Sequence, residues 1–320
     1  MSRTIGILTS GGDAPGMNAA IRSVARSALV RGFKVIGIRR GYQGLIEGDM
    51  FEIGPRDVSD IMHKGGTTLF TARSTDFTTE EGQKIAKKRC DEAGIDSLIC
   101  IGGDGTFRGA LDLHKLGVKC VGIPATIDND IQCTEYTIGF DTAMNTALEM
   151  IDKIKDTEMS HNRCSVVEVM GRHAGHIAVN VGAATGAIEV VTAEREYDIN
   201  AICGRIAYLK STGKQHFLVI VAEGVGNSEQ IAQQIEAKTG VTSRATVLGH
   251  VQRGGSPTCW DRVIATKMGY YAIELLASGA ENRVIAVRNG KLVDYDIVEA
   301  LGMKKRYDER LHSLLGELAI

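Results

Sequence analysis

Short apolar runs that end at a glycine or proline recur along the chain, and a helical pattern follows several of them. Residues 5–9, 97–101 and 120–123 are such runs. Apolar runs of this length, without polar alternation, are typical of strands buried on both faces of a parallel sheet. Because ligands of open α/β sheets bind at the carboxyl ends of the strands, the turns after these runs are candidate site segments.

The same alternation continues to the C-terminal part of the chain. Further strands are predicted at 34–38, 165–170, 217–222 and 245–248, and a tight hairpin is predicted around Asn289-Gly290. Helices are predicted from the first glycine turn to Gly32 and at 80–93, 106–116, 141–154 and 260–277. Strands that alternate with helices in this way predict an α/β protein of two domains with a cleft.

Two of the turns carry the groups that phosphoryl transfer to a hydroxyl requires. Gly102-Gly103-Asp104-Gly105-Thr106 offers bare backbone and one carboxylate, which suits a phosphate and its Mg²⁺. Thr126-Ile127-Asp128-Asn129-Asp130 offers two carboxylates and a hydroxyl, and a carboxylate here could act as general base. In an extended segment, residues 126, 128 and 130 would share one face. The structural alternatives are Asp104 as N-cap of a helix from Thr106, and an Asx turn with solvent-facing acids.

A third glycine-rich turn follows the first predicted strand. Gly11, Gly12 and Gly16 could bring backbone N–H groups close to a phosphate at a helix N-terminus. Their spacing matches neither G-x-x-x-x-G-K-[ST] nor G-x-G-x-x-G, so a plain tight turn stays open as the alternative.

Arginines accompany the later turns. Arg163, Arg172, Arg244 and Arg253 lie next to predicted strand ends or turns, and His250 is close to the last of them. Arginine binds phosphate in a bidentate manner, so the four together predict a sugar-phosphate site, although a single surface arginine is usually a solvated charge. Arg22 and Arg26 form an i, i+4 pair on the first helix, where an anion site and a solvated basic face are equally compatible with the pattern.

Composition narrows the class of protein. A net charge of −2 over 320 residues gives no electrostatic basis for binding nucleic acid or a membrane surface. The seven cysteines contain no C-x-x-C pair and mostly lie in apolar runs, so they are expected to be buried and reduced, as in a cytoplasmic enzyme. With no signal-peptide pattern and no apolar run of 18 residues, no membrane span is expected.

Over essentially its whole length the chain resembles the bacterial ATP-dependent 6-phosphofructokinases. The matching stretches are LTSGGDAPGMNAAIR, IGGDGT, TIDND, TIGFDTA, VEVMGRHAG, AEGV, RATVLGHVQRGGSP and DR. The resemblance implies two Rossmann-like three-layer α/β/α domains with largely parallel sheets and an interdomain active-site cleft. It implies a larger ATP-binding domain at 1–138 plus 251–305 and a smaller sugar-phosphate-binding domain at 139–250 plus 306–320.

The resemblance also implies a reaction and a set of site residues. The reaction is Mg²⁺-dependent transfer of the ATP γ-phosphoryl group to the 1-hydroxyl of fructose 6-phosphate, the committed step of glycolysis. Asp128 matches the catalytic base, Arg172 the arginine that stabilises the transferring group, and Asp104 the metal-side acid; Thr126, Asp130 and Gly12 complete the catalytic set. Positions that line ATP are Gly12, Arg73, Ser74, Gly103, Asp104, Gly105 and Thr106.

On the acceptor side, the resemblance implies contacts from Thr126, Ile127, Asp128, Met170, Gly171, Arg172, Glu223, His250, Val251, Gln252 and Arg253. Arg163 and Arg244 match arginines that reach the 6-phosphate across a subunit boundary. The family is usually homotetrameric, so the resemblance implies active sites that are shared between subunits.

Two positions that depart from the family pattern bear on the phosphoryl donor. The residue before Thr126 is usually Gly in ATP users and Lys in pyrophosphate users, and here it is the small, uncharged Ala125. Pyrophosphate users tend to carry a second acid after Asp104, where this chain has Gly105. A carboxylate at 105 would crowd and repel the nucleotide α-phosphate, so both positions favour ATP.

The regulatory positions match the family less well. Arg22 and Arg26 match arginines that hold the effector phosphate, and Lys214 also fits. Three other positions, usually Arg, Glu and Lys, are Lys155, Ile188 and Thr212 here. The loss of the acid at 188 removes an effector or metal contact, which predicts weak or altered regulation by ADP and phosphoenolpyruvate.

Three alternatives remain at this stage. The first is a pyrophosphate-dependent phosphofructokinase. The second is an NAD or lipid kinase, which can also carry GGDGT, although TIDND and the downstream arginines argue against it. The third is a catalytically silent nucleotide-sensing subunit, which the presence of Asp104, Asp128 and Arg172 disfavours.

Overall fold

In the computed structural model of the protein, which describes residues 3–319, the chain forms two compact units. Unit 1 contains the chain up to Ile127, Ile131–Thr142 and Arg253–Lys305. Unit 2 contains Asp128–Asp130, Ala143–Gln252 and the chain from Arg306. The fold is α/β with mostly parallel sheets, as the alternating sequence pattern predicts.

Strands and helices alternate through most of the described residues. The strands are β1 Thr4–Ser10, β2 Lys34–Ile38, β3 Met50–Glu52, β4 Ser97–Gly102, β5 Lys119–Pro124, β6 Cys164–Val169, β7 Glu189–Val191, β8 Phe217–Ala222, β9 Ser243–Val247, β10 Arg283–Arg288 and β11 Lys291–Asp296. The helices are α1 Met17–Val30, α2 Gly41–Glu47, α3 Glu80–Glu92, α4 Asp104–Lys115, α5 Phe140–His161, α6 His176–Thr185, α7 Ile199–Ser211, α8 Ser228–Thr239, α9 Cys259–Ala277, α10 Ile297–Gly302 and α11 Glu309–Leu318. Two 3₁₀ helices lie at Asp76–Thr78 and Gly249–Arg253.

Unit 1 is built on a seven-stranded sheet with the order β11-β10-β5-β4-β1-β2-β3. The five inner strands are parallel, and β3 and β11 pair antiparallel at the two edges. All six residues of β4 are buried, which explains its unbroken apolar sequence. A core of buried side chains, including Leu8, Leu98 and Phe107, covers one face of the sheet.

Unit 2 is built on a four-stranded, fully parallel sheet with the order β7-β8-β6-β9. Every residue of β8 is buried, as expected for a strand in the middle of such a sheet. Val166, Val219 and Ile235 belong to the core that packs on this sheet.

Most predicted strands are confirmed to within two residues, and the hairpin at Asn289-Gly290 joins β10 to β11. The sequence analysis did not predict helices α2, α6, α7, α8, α10 and α11 or the short strands β3 and β7, and α5 continues to His161, beyond its predicted end at 154. All seven cysteines have free thiols; six are buried and Cys259 is exposed. Between residues 3 and 319, no helix combines the length and the apolar character needed to cross a membrane.

Candidate active site

Three of the predicted site turns in unit 1 begin side by side. β5, β4 and β1 are neighbours in the sheet, and their last residues are in register: Ser10 is opposite Gly102, and Gly102 is opposite Pro124. The Thr106 hydroxyl donates to the Ser10 carbonyl at 3.0 Å, and the Ala125 N–H donates to the Gly102 carbonyl at 3.0 Å. The predicted position of these turns at carboxyl ends of parallel strands is therefore confirmed.

The turn after β4 leads directly into the N-terminus of α4. The helix begins at Asp104, and Gly103 occupies the N-cap without any side-chain cap. The alternative in which Asp104 caps a helix from Thr106 is therefore wrong, because Asp104 is itself the first helical residue. A helix N-terminus with a glycine cap presents backbone N–H groups and a positive dipole end, which suits a phosphate.

Gly105 is the open position of this helix N-terminus. It is exposed, and a methyl group on its Cα would contact no atom within 4 Å. By contrast, Thr106 is buried, and its hydroxyl is engaged by the Ser10 carbonyl. Packing therefore does not determine the residue type at 105, whereas it does at 106.

The exposed part of the first glycine turn is Gly11-Gly12. Residues 16–19, at the start of α1, are buried, so the bare backbone that solvent reaches lies earlier in the turn. Arg253 lies beside this backbone: its Nη1 is 3.5 Å from the Asp13 carbonyl, and a methyl group on Gly12 would come within 2.8 Å of it. Within unit 1, Arg253 therefore lies at the glycine turn.

The loop that carries Arg73 and Ser74 is fixed by hydrogen bonds. The Thr71 hydroxyl donates to the Gly11 carbonyl at 2.6 Å. The Ser74 hydroxyl donates to Gln43 Oε1 at 2.7 Å and accepts the Phe77 N–H at 3.1 Å, while Arg73 is exposed. Sequence reasoning gave no role to Thr71 or Gln43, because single polar residues outside a glycine turn leave no pattern.

The segment 126–130 is a turn and not an extended strand. Residues 127 and 128 form the turn, and Asn129 has a left-handed backbone with φ 49°. The expected alternation of 126, 128 and 130 on one face required an extended segment, so it does not apply here. Asp128 is only 6% exposed, so the alternative of a solvent-facing acid does not describe it.

In unit 2, a second group of predicted residues gathers at the carboxyl ends of β6, β8 and β9. The Arg172 N–H donates to Glu223 Oε2 at 3.0 Å, which links the turn after β6 to the turn after β8. The Met170 N–H donates to Gln252 Oε1 at 3.2 Å, and Gln252 Nε2 donates to the Gly249 carbonyl at 3.2 Å. Gln252 is fully buried, so in this chain it holds the turn after β6 in place.

Arg163 and Arg244 lie at the other end of the same sheet, where its parallel strands begin. Arg163 immediately precedes β6, and Arg244 is the second residue of β9, opposite Ser165. The six residues of β6 span about 20 Å, which separates these two arginines from Arg172. Within unit 2, Arg163 and Arg244 therefore lie at the end of the sheet opposite to Arg172, and Arg253 belongs to unit 1. The prediction that the four arginines serve a sugar-phosphate site stays a prediction.

No group of three or more His, Cys, Asp or Glu side chains within residues 3–319 is arranged to hold a metal ion by itself. A Mg²⁺ ion, however, is usually bound by one or two carboxylates together with phosphate oxygens and water. Asp104, in the first turn of α4, fits that pattern, because an ion there would share a phosphate with the helix N-terminus.

The predicted regulatory residues also fall into different surroundings. Arg22 and Arg26 line two cavities of unit 1, of about 500 and 600 Å³, the first with Lys267 and Tyr270 and the second with Arg56 and Arg262. In unit 2, Lys155 Nζ donates to the Thr185 carbonyl at 2.8 Å, and Lys214 is half-buried. Ile188 is 1% exposed and belongs to the core, so it presents nothing to a ligand.

Comparisons with known proteins agree with this geometry. Residues 4–276 match the family model described as phosphofructokinase. An ATP-dependent 6-phosphofructokinase of Clostridium botulinum is 54% identical over 98% of both chains. The structure of phosphofructokinase from Saccharomyces cerevisiae superposes with a TM-score of 0.90 at 32% identity, over all of this chain and 48% of the yeast chain. A pyrophosphate-dependent phosphofructokinase of Marinobacter aquaeolei has the same fold, with a TM-score of 0.84 at 20% identity.

Proposed function

Because this chain belongs to the phosphofructokinase family, we propose that it transfers the γ-phosphoryl group of ATP to the 1-hydroxyl of fructose 6-phosphate. The products are fructose 1,6-bisphosphate and ADP, and the reaction is a step of glycolysis. The observation that carries the proposal is the 54% identity over 98% of both chains to a relative named ATP-dependent 6-phosphofructokinase. The neighbouring turns after β1, β4 and β5 supply the groups that this chemistry needs.

In this proposal unit 1 binds ATP. The backbone of Gly11-Gly12 and the uncapped N-terminus of α4 hold the phosphates, since both present backbone at the same edge of the sheet. Arg73 and Ser74, on the loop tied to Gly11 through Thr71, line the nucleotide. Asp104 holds the Mg²⁺, which neutralises charge on the phosphate oxygens when it is bound with ATP.

Asp128 acts as the general base. It accepts the proton of the 1-hydroxyl while the oxygen attacks the γ-phosphorus atom. Burial of Asp128 supports this role, because a carboxylate shielded from water is held in one geometry and interacts more strongly with the group it faces. Thr126 and Asp130 flank the base and assist it.

Unit 2 binds the sugar phosphate through the turns at the carboxyl ends of its strands. Arg172, whose backbone is held by Glu223, stabilises the charge of the transferring phosphoryl group. Met170, Gly171, His250 and Val251 line the sugar. Gln252 supports this sugar site indirectly, because its side chain fixes the backbone of Met170.

The donor is ATP because the turn that receives it has room and no competing charge. Gly105 is exposed and has empty space around it, and Ala125 is uncharged. A nucleotide α-phosphate therefore meets neither a carboxylate nor a lysine at these two positions.

Arg163 and Arg244 bind the 6-phosphate in the active site of a second copy of the chain. Their position at the amino-end edge of the unit 2 sheet, about a strand length from Arg172, supports this assignment. The active enzyme is then a symmetric homo-oligomer, a homotetramer by the habit of the family, in which each site needs two chains.

The effector site of the family is only partly present, through Arg22, Arg26 and Lys214. Regulation by ADP and phosphoenolpyruvate is therefore weak or altered. The buried Ile188 and the Lys155 side chain, which is bonded to the Thr185 carbonyl, support this part of the proposal. Initial rates against fructose 6-phosphate, with and without millimolar ADP, test it. A sigmoidal curve that ADP makes hyperbolic would contradict it.

The function itself is tested with the purified protein, ATP, MgCl₂ and fructose 6-phosphate. We expect ADP to form only when the sugar phosphate is present, and ³¹P NMR to identify fructose 1,6-bisphosphate as the product. ADP formation that is independent of the sugar phosphate, or a different phosphorylated product, would refute the proposal.

A further inference from the structure

A buried carboxylate outside the predicted site joins two of its loops. Asp261, in the first turn of α9, is completely buried in unit 1. Its Oδ1 accepts the Tyr136 hydroxyl and the Gly139 N–H, each at 2.7 Å. Its Oδ2 accepts the Thr142 N–H at 2.9 Å and the Thr142 hydroxyl at 2.5 Å.

Two N–H groups and two hydroxyls therefore surround this one side chain, so both carboxyl oxygens are hydrogen-bonded. Burial raises the pKa of Asp261 above its ordinary value, although the hydrogen bonds from Thr142, Gly139 and Tyr136 oppose this rise. Two of the donor groups are themselves fixed: the Tyr136 oxygen accepts the Asp141 N–H at 3.2 Å, and the Thr142 oxygen accepts the Thr258 N–H at 3.1 Å. The network therefore gathers residues 136–142 onto the start of α9.

The gathered segment runs directly beside the turn that carries the predicted base. The Ile138 N–H donates to the Pro124 carbonyl at 3.0 Å, and Ala125 and Ile138 form a parallel β-bridge. The Thr137 hydroxyl donates to the Thr126 carbonyl at 2.6 Å. Residues 124–126, from which the 126–130 turn starts, are thus held by β4 on one side and by residues 137–138 on the other.

The same segment packs against the first glycine turn. Gly16 has φ 105°, and a methyl group on its Cα would come within 2.6 Å of Ile138 Cγ2. Gly139 has φ 102°, and a methyl group there would come within 2.7 Å of the Ala14 side chain. These two segments of the chain touch with no room for a side chain between them. A displacement of residues 138–139 would therefore also displace the turn after β1.

We propose that Asp261 is a positioning residue for phosphoryl transfer: through residues 136–142 it sets the position of both the 126–130 turn and the glycine turn at 11–16. The inference rests on the proposed function, and it adds to that function a group that contacts neither substrate. A misplacement of about 1 Å at a reacting group can cost about a hundredfold in rate, so the position of these turns matters for kcat.

Four variants separate positioning from plain stabilisation. Asp261→Asn replaces an acceptor by an NH₂ group that faces N–H donors. Thr142→Val removes one hydroxyl of the network with little change of shape, and Thr142→Ser keeps the hydroxyl. Asp296→Asn is the matched control, since Asp296 accepts Asn282 Nδ2 at 2.7 Å and the Val298 N–H at 2.8 Å at the start of α10 in the same unit.

Two measurements are made on each variant at a temperature well below its own melting point. Amide hydrogen exchange without substrates reports the order of residues 124–130 and 11–16. Steady-state kinetics gives kcat and both KM values per folded protein. We expect Asp261→Asn and Thr142→Val to exchange faster in both segments and to lose about 10- to 100-fold in kcat. Thr142→Ser and Asp296→Asn should match the wild-type chain in both.

Unchanged exchange and unchanged kcat in a folded Thr142→Val protein would show that the network only stabilises the fold, and would overturn the inference. If Asp261→Asn does not fold, the comparison of Thr142→Val with Thr142→Ser decides the question. A wild-type chain that does not phosphorylate fructose 6-phosphate would refute the proposed function instead, and the exchange data would still test whether Asp261 positions the two turns.

Discussion

At the scale of single residues, the site contains two kinds of position: those fixed by packing and those left open. Thr106 and Gln252 are buried and hydrogen-bonded, so the fold alone accounts for them. Gly105 and Arg73 are exposed, and nothing in unit 1 dictates their identity. Substitutions at these exposed positions therefore test ligand binding without disturbing the packing of unit 1.

Replacement of the proposed base tests the acceptor chemistry. Asp128→Ser should lower kcat by about 10²- to 10⁴-fold, the usual contribution of general-base catalysis, with little change in either KM. Initial rates at saturating ATP and fructose 6-phosphate check this, and the melting temperature shows that the variant is folded. Near-normal turnover would exclude Asp128 as the base.

Substitution at the open position tests the donor. Gly105→Ala should behave like the wild-type chain, because its methyl group would contact no atom within 4 Å. Gly105→Asp adds a negative charge next to the proposed phosphate site, and like charges at about 5 Å repel by a few kcal/mol at an effective dielectric constant of about 20. The KM for ATP should therefore rise at least about tenfold. Equal KM values for the two variants would place the nucleotide elsewhere.

At the scale of helices and strands, the sequence predicted where several strands and turns lie, but not which side chains meet at the same end of a sheet. The apolar runs fix strands such as β4 and β8, and a glycine after a run fixes where the turn lies. Sequence spacing cannot tell which end of a strand an arginine shares with its neighbours. Arg163 and Arg172 are nine positions apart but lie at opposite edges of the sheet, and only the register of β6 and β9 reveals this.

The sequence pattern also did not predict the backbone conformation of residues 126–130. Residues 126–130 alternate in a way that suits an extended strand, yet Asn129 adopts a left-handed conformation, which asparagine tolerates better than most residues. The helix α6, which was not predicted, has a weak amphipathic pattern because much of it is buried all round. The role of Asp261 depends on contacts 119 to 125 positions away, for which no local signal exists.

The last turns of α5 carry a buried acid whose ionisation should weaken the fold. Glu158 is 2% exposed; its Oε1 accepts the Ser165 N–H at 2.8 Å, and no described residue bonds its Oε2. Burial raises the pKa of Glu158 from 4.5 to about 7, opposed by the Ser165 hydrogen bond and the charge of Lys155. Since the folded state binds the proton more tightly, the contribution of Glu158 to stability is fully present below about pH 4.5 and is lost as the pH rises through about 7.

Glu158→Gln should remove this dependence. Relative to the wild-type chain, the free energy of unfolding of the variant should improve between pH 5 and pH 8 by about 2–3 kcal/mol, as the wild-type carboxyl ionises. Glu149→Gln, at an exposed position of the same helix, is the control and should show no such change. Denaturant unfolding at the two pH values measures both. A stability difference that is equal at pH 5 and pH 8 would contradict the prediction.

At the scale of the whole molecule, the proposal makes the active site a property of the assembly. In this proposal, each complete site combines Arg244 of one chain with Asp128 of another. Arg244→Ala should mainly raise the KM for fructose 6-phosphate, because it removes binding of the 6-phosphate rather than chemistry. At a low concentration of fructose 6-phosphate, both Arg244→Ala and Asp128→Ser proteins should then be nearly inactive.

Mixing the two variants tests this sharing. After the chains are dissociated and reassembled in equal amounts, about a quarter of the sites should combine an intact Asp128 with an intact Arg244 from the partner. Activity at low fructose 6-phosphate should rise accordingly, while each variant treated alone stays inactive. If the mixture shows only the mean of the two parents, each site is made by a single chain.

The most direct test of the account is a side-by-side assay of the wild-type protein with ATP and with pyrophosphate as donor, at saturating fructose 6-phosphate and Mg²⁺. Formation of fructose 1,6-bisphosphate is followed in both reactions by the same coupled detection. We expect rapid product formation with ATP and none above background with pyrophosphate. Product formation with pyrophosphate that equals or exceeds the rate with ATP would contradict it.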